Sequence, residues 1–214
     1  MKETKTQRKS RTGEIIELLA SRYPEPKTAL NYHNTFELLV ATVLSAQTTD
    51  KRVNIVTPTF FPEHDSAEKL LRIGEKNFSE MIRTIGLYRS KAKNVIRLCQ
   101  QLVDHHQGEV PNNREALESL PGVGRKTANV VLSNAFGVPA FAVDTHVFRV
   151  THRLGLSQGK TPLVIEQDLT ALLPKDQWSY AHHYFIFLGR EICKAPNPLC
   201  AQCPLTKLCP SSRA

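Results

Sequence analysis

The sequence predicts an all-α fold. Apolar residues recur with helical spacing along nearly the whole chain, and no segment alternates convincingly between apolar and polar residues as a half-buried strand would. Residues that commonly cap helices precede several of these apolar stripes. With 214 residues, of which 41% are hydrophobic, the chain can form one large or two small domains around a real core.

Helix signals begin near the N-terminus. A short first helix is marked by the apolar residues Ile15, Ile16, Leu18 and Leu19. Asn34 and Glu37 have the spacing of a capping box, which predicts the start of a second helix with a long apolar face. Further caps are expected at Thr49 or Asp50, at Ser66 and at Ser79.

The middle of the chain continues the pattern. Residues 85–88 form an apolar loop, and Ser90 is expected to begin a long amphipathic helix. Cys99 lies on the apolar stripe of that helix and is therefore predicted to be a core residue. Asn113 begins a short helix that leads into a glycine-rich turn.

Helical spacing also dominates the C-terminal half. An apolar stripe of Ala128, Val131, Leu132 and Ala135 ends before Gly137 and Pro139, and an extended apolar segment follows at residues 140–143. Asp144 and Thr161-Pro162 each precede another stripe. The last long helix spans about residues 176–188 and includes Trp178, and its aromatic side chains are expected in the core rather than stacked on bases.

The turn at residues 120–126 is the first candidate site. Pro121 and Gly122 favour a tight turn, and Gly124 permits either a positive φ or the close approach of another group. The free N–H groups of the helix that follows would suit a phosphate, with the amine of Lys126 nearby. An ordinary helix connection with a solvated lysine explains the same residues equally well.

The charge balance favours an anionic partner. The formal net charge is +8 and the pI is about 9.4, which indicates nucleic acid first, although an unremarkable basic protein would have the same balance. A solvated, mobile N-terminal tail is expected from the cluster Lys2, Lys5, Arg8, Lys9 and Arg11. Neither a membrane span nor a signal-peptide core is expected, so a reducing compartment is the default.

Four of the five cysteines lie close together near the C-terminus. Cys193, Cys200, Cys203 and Cys209 have the spacing C-x6-C-x2-C-x5-C. Four thiolates on so short a loop can converge on one centre, and zinc or a [4Fe-4S] cluster would accept them. The spacing does not decide between these two, and a disulfide framework is a weaker alternative.

These motifs together resemble the endonuclease III family, bacterial DNA glycosylase/AP lyases of the helix-hairpin-helix superfamily. The resemblance extends from about residue 14 to Cys209, and only the basic N-terminal residues fall outside it. The matching stretches are residues 44–50 (LSAQTTD), 84–88 (TIGLY), 120–131 (LPGVGRKTANVV), 142–146 (AVDTH) and the four-cysteine loop.

The resemblance implies two helical domains. One is a six-helix barrel over residues 28–138, with the helix-hairpin-helix at about 114–136. The other is discontinuous, comprises residues 1–27 and 139–214, and holds a [4Fe-4S] cluster in the loop 193–209. Damaged double-stranded DNA would lie in a positive groove between them, bound by a monomer in the bacterial cytoplasm and associated with the nucleoid.

The resemblance also implies site residues. Lys126 would attack the sugar C1′ and form a Schiff base, and Asp144 would accept its proton or stabilise the cationic sugar. Gln47 would fill the vacated base stack and Ile85 and Leu87 would wedge the opposite strand. DNA contacts are expected from Gly122, Val123, Gly124 and Arg125, base-pocket contacts from Ser45 and Asp50, and phosphate contacts of the cluster loop, unless solvated, from Lys194 and Lys207.

The predicted activity is base excision repair of oxidised pyrimidines with β-elimination on the 3′ side of the abasic site. A monofunctional, adenine-removing enzyme is the first alternative, but Lys126 is present and Thr42 occupies the position of that branch's catalytic glutamate. A non-enzymatic DNA-binding module with a redox role for the cluster would leave Lys126 and Asp144 without a function. His146 is not expected to relay protons, because it lies two residues from Asp144 on another helix face.

Overall fold

The chain folds entirely into helices and connecting loops. The computed structural model describes residues 3–214, and no β-strand occurs among them. The α-helices of this range are α1 Lys5–Arg22, α2 Thr35–Leu44, α3 Asp50–Val56, α4 Ala67–Met81, α5 Tyr88–His106, α6 Arg114–Ser119, α7 Arg125–Ala135, α8 Thr145–Arg153, α9 Pro162–Leu172 and α10 Trp178–Glu191. The prediction of an all-α fold is confirmed. No helix in residues 3–214 is long and apolar enough to cross a membrane.

Two compact units share the chain. One unit comprises Met1–Thr28 and Pro139–Ala214, and the other comprises Ala29–Val138. The second unit is continuous in sequence and contains α2 to α7. The first brings α1 together with α8, α9 and α10, which lie more than a hundred residues later in the chain.

The continuous unit is built around α2. Every residue of α2 except Thr35 is buried, so this helix is surrounded by its neighbours rather than exposed on one face. It packs against α5 and α7, and α4 packs along α5. Phe60 and Phe78 fill the space beside them, with ring centroids 5.2 Å apart in an edge-to-face arrangement.

The discontinuous unit has its own hydrophobic core. Its helices bury a contiguous apolar cluster that includes Ile15, Leu19, Val147, Phe185 and Leu205. Most aromatic residues of α10 join this core, as expected, but Tyr180 is exposed. α8 and α10 approach closely: a Cβ at Gly189 would lie 2.9 Å from the Cβ of His146, so only glycine fits this crossing.

Most predicted caps are confirmed. Side-chain oxygens of five residues accept the N–H groups that begin α3, α4, α6, α8 and α9, namely Thr49, Ser66, Asn113, Asp144 and Thr161. Asn34 caps α2, but the Glu37 carboxylate accepts the N–H of His33, at 2.7 Å, instead of closing a capping box on Asn34.

Two helix starts differ from the sequence prediction. Ser79 lies inside α4 and is no cap, because the backbone already departs from helical geometry at Gly74 (φ 76°, ψ 157°), five residues earlier. α5 begins at Tyr88 and not at Ser90, because Leu87 adopts a left-handed conformation and starts the helix without a side-chain cap. Cys99 is fully buried on α5, as predicted, and burial raises the pKa of its thiol to about 12.

The N-terminal segment is not the mobile tail that its composition suggests. Lys2 lies outside the described residues, but α1 begins at Lys5, and Thr4 and Gln7 form a capping box there. The guanidinium of Arg11 donates to the carbonyl oxygens of Leu154, at 2.8 Å, and Leu208, at 3.1 Å. The first turns of α1 are therefore tied to the end of α8 and to the cysteine loop.

Arg11→Met is expected to lower the free energy of unfolding by about 1–3 kcal/mol. The substitution leaves two carbonyl oxygens without their charged donor and removes the 2.7 Å ion pair of Arg11 with Glu3, which keeps only its pair with Arg8 at 3.3 Å. Urea denaturation followed by circular dichroism measures the change. Lys9→Met, at an exposed position of the same helix, serves as the control. Equal stability of the two variants would show that the Arg11 contacts do not stabilise the unit.

Candidate functional site

The glycine-rich turn is shaped by the fold around it. Gly122 has a φ of 80°, which L side chains rarely adopt, and a Cβ there would lie 3.1 Å from the Cβ of Asn94. The predicted turn at this position is confirmed. Glycine at position 122 is therefore required by the packing of this unit, whatever the turn binds.

Gly124 differs from Gly122 both in its backbone conformation and in the space around it. Its φ is −96°, so the expected alternative of a positive φ is wrong, and a Cβ built there meets nothing within 4 Å. The residue is exposed and begins α7 without any side-chain cap. A Cβ at this position would therefore clash with nothing in the protein, and the N–H groups of the first turn of α7 have no side-chain cap.

The two residues next to Gly124 are both partly or fully occupied by contacts within the protein. Val123 is 6% exposed and its N–H donates to the carbonyl oxygen of Leu120, so its side chain anchors the turn in the core, and its contact with DNA stays a prediction. Arg125 is half-buried, and its guanidinium lies 3.7 Å from the carboxylate of Glu118. This contact directs the Arg125 side chain toward α6.

Lys126 is the second residue of α7 and is exposed. The apolar stripe of the same helix, which includes Ala128, Val131 and Leu132, is buried. The amphipathic pattern thus places the amine on the solvent side, as the sequence predicts. The primary amine stands beside a helix N-terminus that has uncapped N–H groups.

Asp144 is the N-cap of α8. Its Oδ1 accepts the N–H groups of His146 and Val147, both at 2.8 Å, and the side chain is partly buried. The cap uses only one carboxylate oxygen, so the direction of the carboxylate is held while Oδ2 takes no part in the cap. The Nδ1 of His146 lies 3.2 Å from Nη2 of the Arg149 guanidinium.

The two loops 45–49 and 84–87 present a different pair of exposed side chains. Gln47 and Leu87 are both exposed, Leu87 to 61%, and both have left-handed backbones, with φ of 53° and 58°. Non-glycine residues in this conformation are uncommon and concentrate at functional sites. Ile85 is only 1% exposed, because it lies in the core beneath the loop, and its role as a wedge in DNA stays a prediction.

Ser45 and Asp50 flank the first of these loops. Ser45 ends α2 and its hydroxyl donates to the carbonyl oxygen of Thr42 at 2.8 Å. Asp50 begins α3, and both side chains are partly buried. Their roles in a base pocket stay predictions.

A buried lysine lies next to these loops and was not predicted from the sequence. Lys91 is 5% exposed, and its ammonium donates to the carbonyl oxygen of Leu44 and to the hydroxyl of Thr48, both at 2.8 Å. Burial lowers the pKa of this lysine. Its place in the apolar stripe of α5, four residues before Val95 and seven before Leu98, is the signal that could have identified it.

The four C-terminal cysteines line one cavity. Cys193, Cys200, Cys203 and Cys209 face it together with apolar residues of α8 and α10. Within the described part of the chain no group of three or more His, Cys, Asp or Glu residues is placed to hold a single metal ion. Burial raises the pKa of the Cys203 and Cys209 thiols, so a positively charged centre would be needed to keep them as thiolates.

Arginines of α8 surround the first cysteine of this loop. Arg153 Nη1 lies 3.3 Å from the Cys193 Sγ, and the same guanidinium donates to the carbonyl oxygens of Lys194 and Ala195. Arg149 donates to the carbonyl oxygen of Cys193 at 3.0 Å. These contacts supply positive charge beside the Cys193 sulfur and fix the loop backbone.

The fold and these sites place the chain in a class of DNA repair proteins. Residues 40–175 match the sequence model of the HhH-GPD family, described as a superfamily of base excision DNA repair proteins. The chain therefore belongs to the HhH-GPD superfamily of base excision DNA repair proteins. The sequence-based assignment to a helix-hairpin-helix repair class is confirmed.

Within the superfamily the chain is similar to endonuclease III. It is 50% identical to endonuclease III of Rickettsia conorii over 92% of this chain and 94% of the relative. It is 45% identical to endonuclease III of Escherichia coli K12 over 94% and 95%. A solved non-covalent endonuclease III–DNA complex superposes with a TM-score of 0.92 at 46% identity, covering 96% of each chain. A trapped covalent endonuclease III–DNA intermediate superposes with the same TM-score over 96% of this chain and 97% of that one.

Proposed function

We propose that this protein is a bifunctional DNA glycosylase and AP lyase that removes oxidised pyrimidines from duplex DNA. The observation that carries the proposal is an exposed primary amine, Lys126, at the uncapped N-terminus of α7 in a member of a base excision repair superfamily. The trapped covalent DNA intermediate of a protein 46% identical to this chain supports it. The basic balance of the chain, +8, suits a DNA-binding monomer of the bacterial cytoplasm and nucleoid.

Lys126 supplies the nucleophile. Its neutral Nζ attacks the sugar C1′, the glycosidic bond breaks and the base departs, and opening of the sugar ring gives a protonated Schiff base. The 2′-proton is then acidic, so its removal expels the 3′ phosphate and cuts the strand. Only an amine can form this intermediate, which distinguishes this mechanism from that of the monofunctional, adenine-removing alternative.

Asp144 accepts the proton of Lys126 and stabilises the positive charge of the sugar. A carboxylate can accept the proton that Lys126 must lose before it attacks, and it stabilises the cationic sugar as the base leaves. The cap to His146 and Val147 supports this role because it pre-orients the carboxylate through one oxygen only.

Extrusion of the target nucleotide precedes the chemistry, because C1′ is out of reach while the base is stacked in the duplex. We assign Gln47 to the vacated stack, and Leu87 together with Ile85 of the same loop to the opposite strand. The exposure and left-handed backbones of Gln47 and Leu87 support this assignment, and an apolar wedge such as Leu87 suits unstacking. Ser45 and Asp50 are proposed to line the pocket for the extruded base.

The turn before α7 is proposed to hold a DNA phosphate. Gly124 leaves the N–H groups of the first helical turn accessible, and Arg125 adds positive charge. We assign the contact to Gly122, Val123, Gly124 and Arg125. Lys194 and Lys207, both exposed on the cysteine loop, are proposed as further phosphate contacts.

The two glycines of the turn are expected to respond differently to alanine. Gly122→Ala should lower the free energy of unfolding by about 1–2 kcal/mol, because its backbone is left-handed and its neighbours are close. Gly124→Ala should change stability by less than about 0.5 kcal/mol but weaken binding to duplex DNA, because its Cβ occupies the approach to the helix. Thermal melting and fluorescence anisotropy with labelled DNA measure the two effects. Unchanged DNA affinity of Gly124→Ala would contradict the phosphate contact.

The cysteine loop is proposed to hold a [4Fe-4S] cluster through the thiolates of residues 193, 200, 203 and 209. The cavity shared by the four cysteines and the arginine charge around Cys193 fit an anionic thiolate-ligated group. When bound, such a cluster supplies a fixed positive centre that organises the loop; base removal and β-elimination need no electron from it. Its role is therefore structural in this reaction.

Borohydride trapping tests the proposed function. The protein is incubated with duplex DNA that carries one oxidised pyrimidine, and sodium borohydride reduces any Schiff base to a stable bond. We expect a covalent protein–DNA adduct, strand cleavage 3′ to the lesion without borohydride, and neither product with the undamaged duplex. A protein that binds the damaged duplex but yields no adduct would overturn the lyase assignment.

A further inference from the structure

Lys91 connects the two loops that carry Gln47 and Leu87. Its side chain crosses from α5 to the end of α2, where the ammonium donates to Leu44 O and Thr48 Oγ1 on either side of the Gln47 loop. Its main-chain N–H donates to the carbonyl oxygen of Leu87 at 3.0 Å. This main-chain bond is the first helical hydrogen bond of α5 and does not depend on the side chain, so the Lys91 side chain holds the Gln47 loop against the helix that follows Leu87.

The loops also approach each other directly. A Cβ at Gly86 would lie 3.6 Å from the carbonyl oxygen of Gln47 and 3.5 Å from Thr48 Oγ1, which is ordinary van der Waals contact. Residues with left-handed backbones stay in that conformation only when their surroundings hold them there. Gly86 contacts Gln47 and Thr48, and Lys91 contacts Leu44 and Thr48, so both residues hold the backbone next to Gln47.

The ammonium suits its place for an electrostatic reason. The carbonyl oxygen of Leu44 belongs to the last turn of α2, the negative end of that helix, where a positive charge is favourable. A charged donor forms stronger hydrogen bonds than a neutral one, and these offset the burial of the ammonium. An apolar side chain at 91 would leave both acceptors without a donor, and the Gln47 loop would lose its tie to α5.

We propose that Lys91 is a positioning residue for nucleotide extrusion: it holds Gln47 and Leu87 in one preformed arrangement before DNA binds. The inference rests on the proposed function, since it concerns how those two side chains enter the duplex. Lys91 does not touch the substrate and takes no part in the chemistry at C1′. Its loss should therefore slow the extrusion step and spare the reaction of an already accessible abasic site.

The test compares Lys91→Met with Lys93→Met, an exposed lysine two residues along the same helix. Single-turnover base release is measured on a duplex with an oxidised pyrimidine, and borohydride trapping is measured on a single-stranded abasic oligonucleotide. We expect base release to slow by about 10- to 100-fold in Lys91→Met, with trapping within about twofold of wild type, and neither change in Lys93→Met. A fluorescent base analogue opposite the lesion should report slower unstacking in Lys91→Met.

A second comparison separates positioning from simple loss of fold. In a Gln47→Ala, Leu87→Ala background, Lys91→Met should slow base release by less than about a further threefold, because the side chains that Lys91 positions are already absent. Thr48→Val keeps the lysine and removes one of its two acceptors. This variant should also release the base more slowly than wild type, while its melting temperature stays close to that of wild type.

Two results would overturn the inference while leaving the proposed function intact: equal base release by Lys91→Met and Lys93→Met, or full additivity of Lys91→Met with the double alanine variant. A wild-type protein that neither releases the base nor forms an adduct would instead contradict the proposed function itself.

Discussion

Lys126→Gln is expected to abolish the covalent adduct with DNA and to lower strand cleavage by more than about 100-fold. Glutamine keeps the length and polarity of the side chain but has no amine, so no Schiff base can form. Because Lys126 is exposed on the solvent side of α7, the helix and its buried apolar face should be unaffected. Borohydride trapping on a duplex with an oxidised pyrimidine measures the loss, and circular dichroism checks the fold.

Lys93→Gln is the matched control for this experiment. It also replaces an exposed lysine on a helix of the same unit, so it removes one positive charge without touching the turn at residues 120–126. We expect adduct formation close to wild type in this variant. An adduct of normal yield in Lys126→Gln would mean that another amine attacks C1′, and the assignment of Lys126 would have to be abandoned.

Cys203→Ser is expected to remove most of the iron from the protein and to destabilise the cysteine loop. Purified wild-type protein should be yellow-brown and contain about four iron atoms per chain, and the variant should be nearly colourless with less than about one. We expect the loop to depend on the proposed cluster, because its regular structure is limited to the short 3₁₀ turns Cys200–Gln202 and Thr206–Leu208. Iron analysis, the visible absorbance spectrum and thermal melting measure these changes.

Cys99→Ala provides the control for the loss of a cysteine as such. Cys99 is buried on α5, outside the loop, so its substitution should leave the iron content and colour unchanged. A colourless wild-type protein with stoichiometric zinc would contradict the cluster assignment. Full iron content in Cys203→Ser would show that this cysteine is not a ligand.

The helical architecture was largely predictable because its signals are local. An amphipathic stripe and a cap involve residues within a few positions of each other, so Thr49, Ser66, Asn113, Asp144 and Thr161 could be recognised as caps from the sequence. Two helix starts were misplaced: Ser79 lies within α4, where the helical geometry is interrupted at Gly74, and α5 starts after the left-handed Leu87 instead of at Ser90.

The candidate site was only partly predictable. The turn at Gly122 and the exposed amine of Lys126 follow from a glycine pattern and a helical period, and both are where the sequence places them. Ile85 shows the limit of such reasoning, because an apolar residue in a loop can serve as a wedge or as core. Its 1% exposure places the side chain in the core of the protein without DNA, and that burial depends on the packing of α4 and α5.

The sequence alone thus determined the helices, their caps, the glycine turn and the grouping of the four cysteines. The tertiary structure decided what each polar side chain meets. Arg11 reaches carbonyl oxygens 143 and 197 residues away, and Lys91 reaches acceptors 43 and 47 residues away. No periodic pattern records such distant partners, because a hydrogen bond depends on separation in space. Lysine and arginine in a basic chain therefore read as solvated charge until the fold shows which of them are buried and bound.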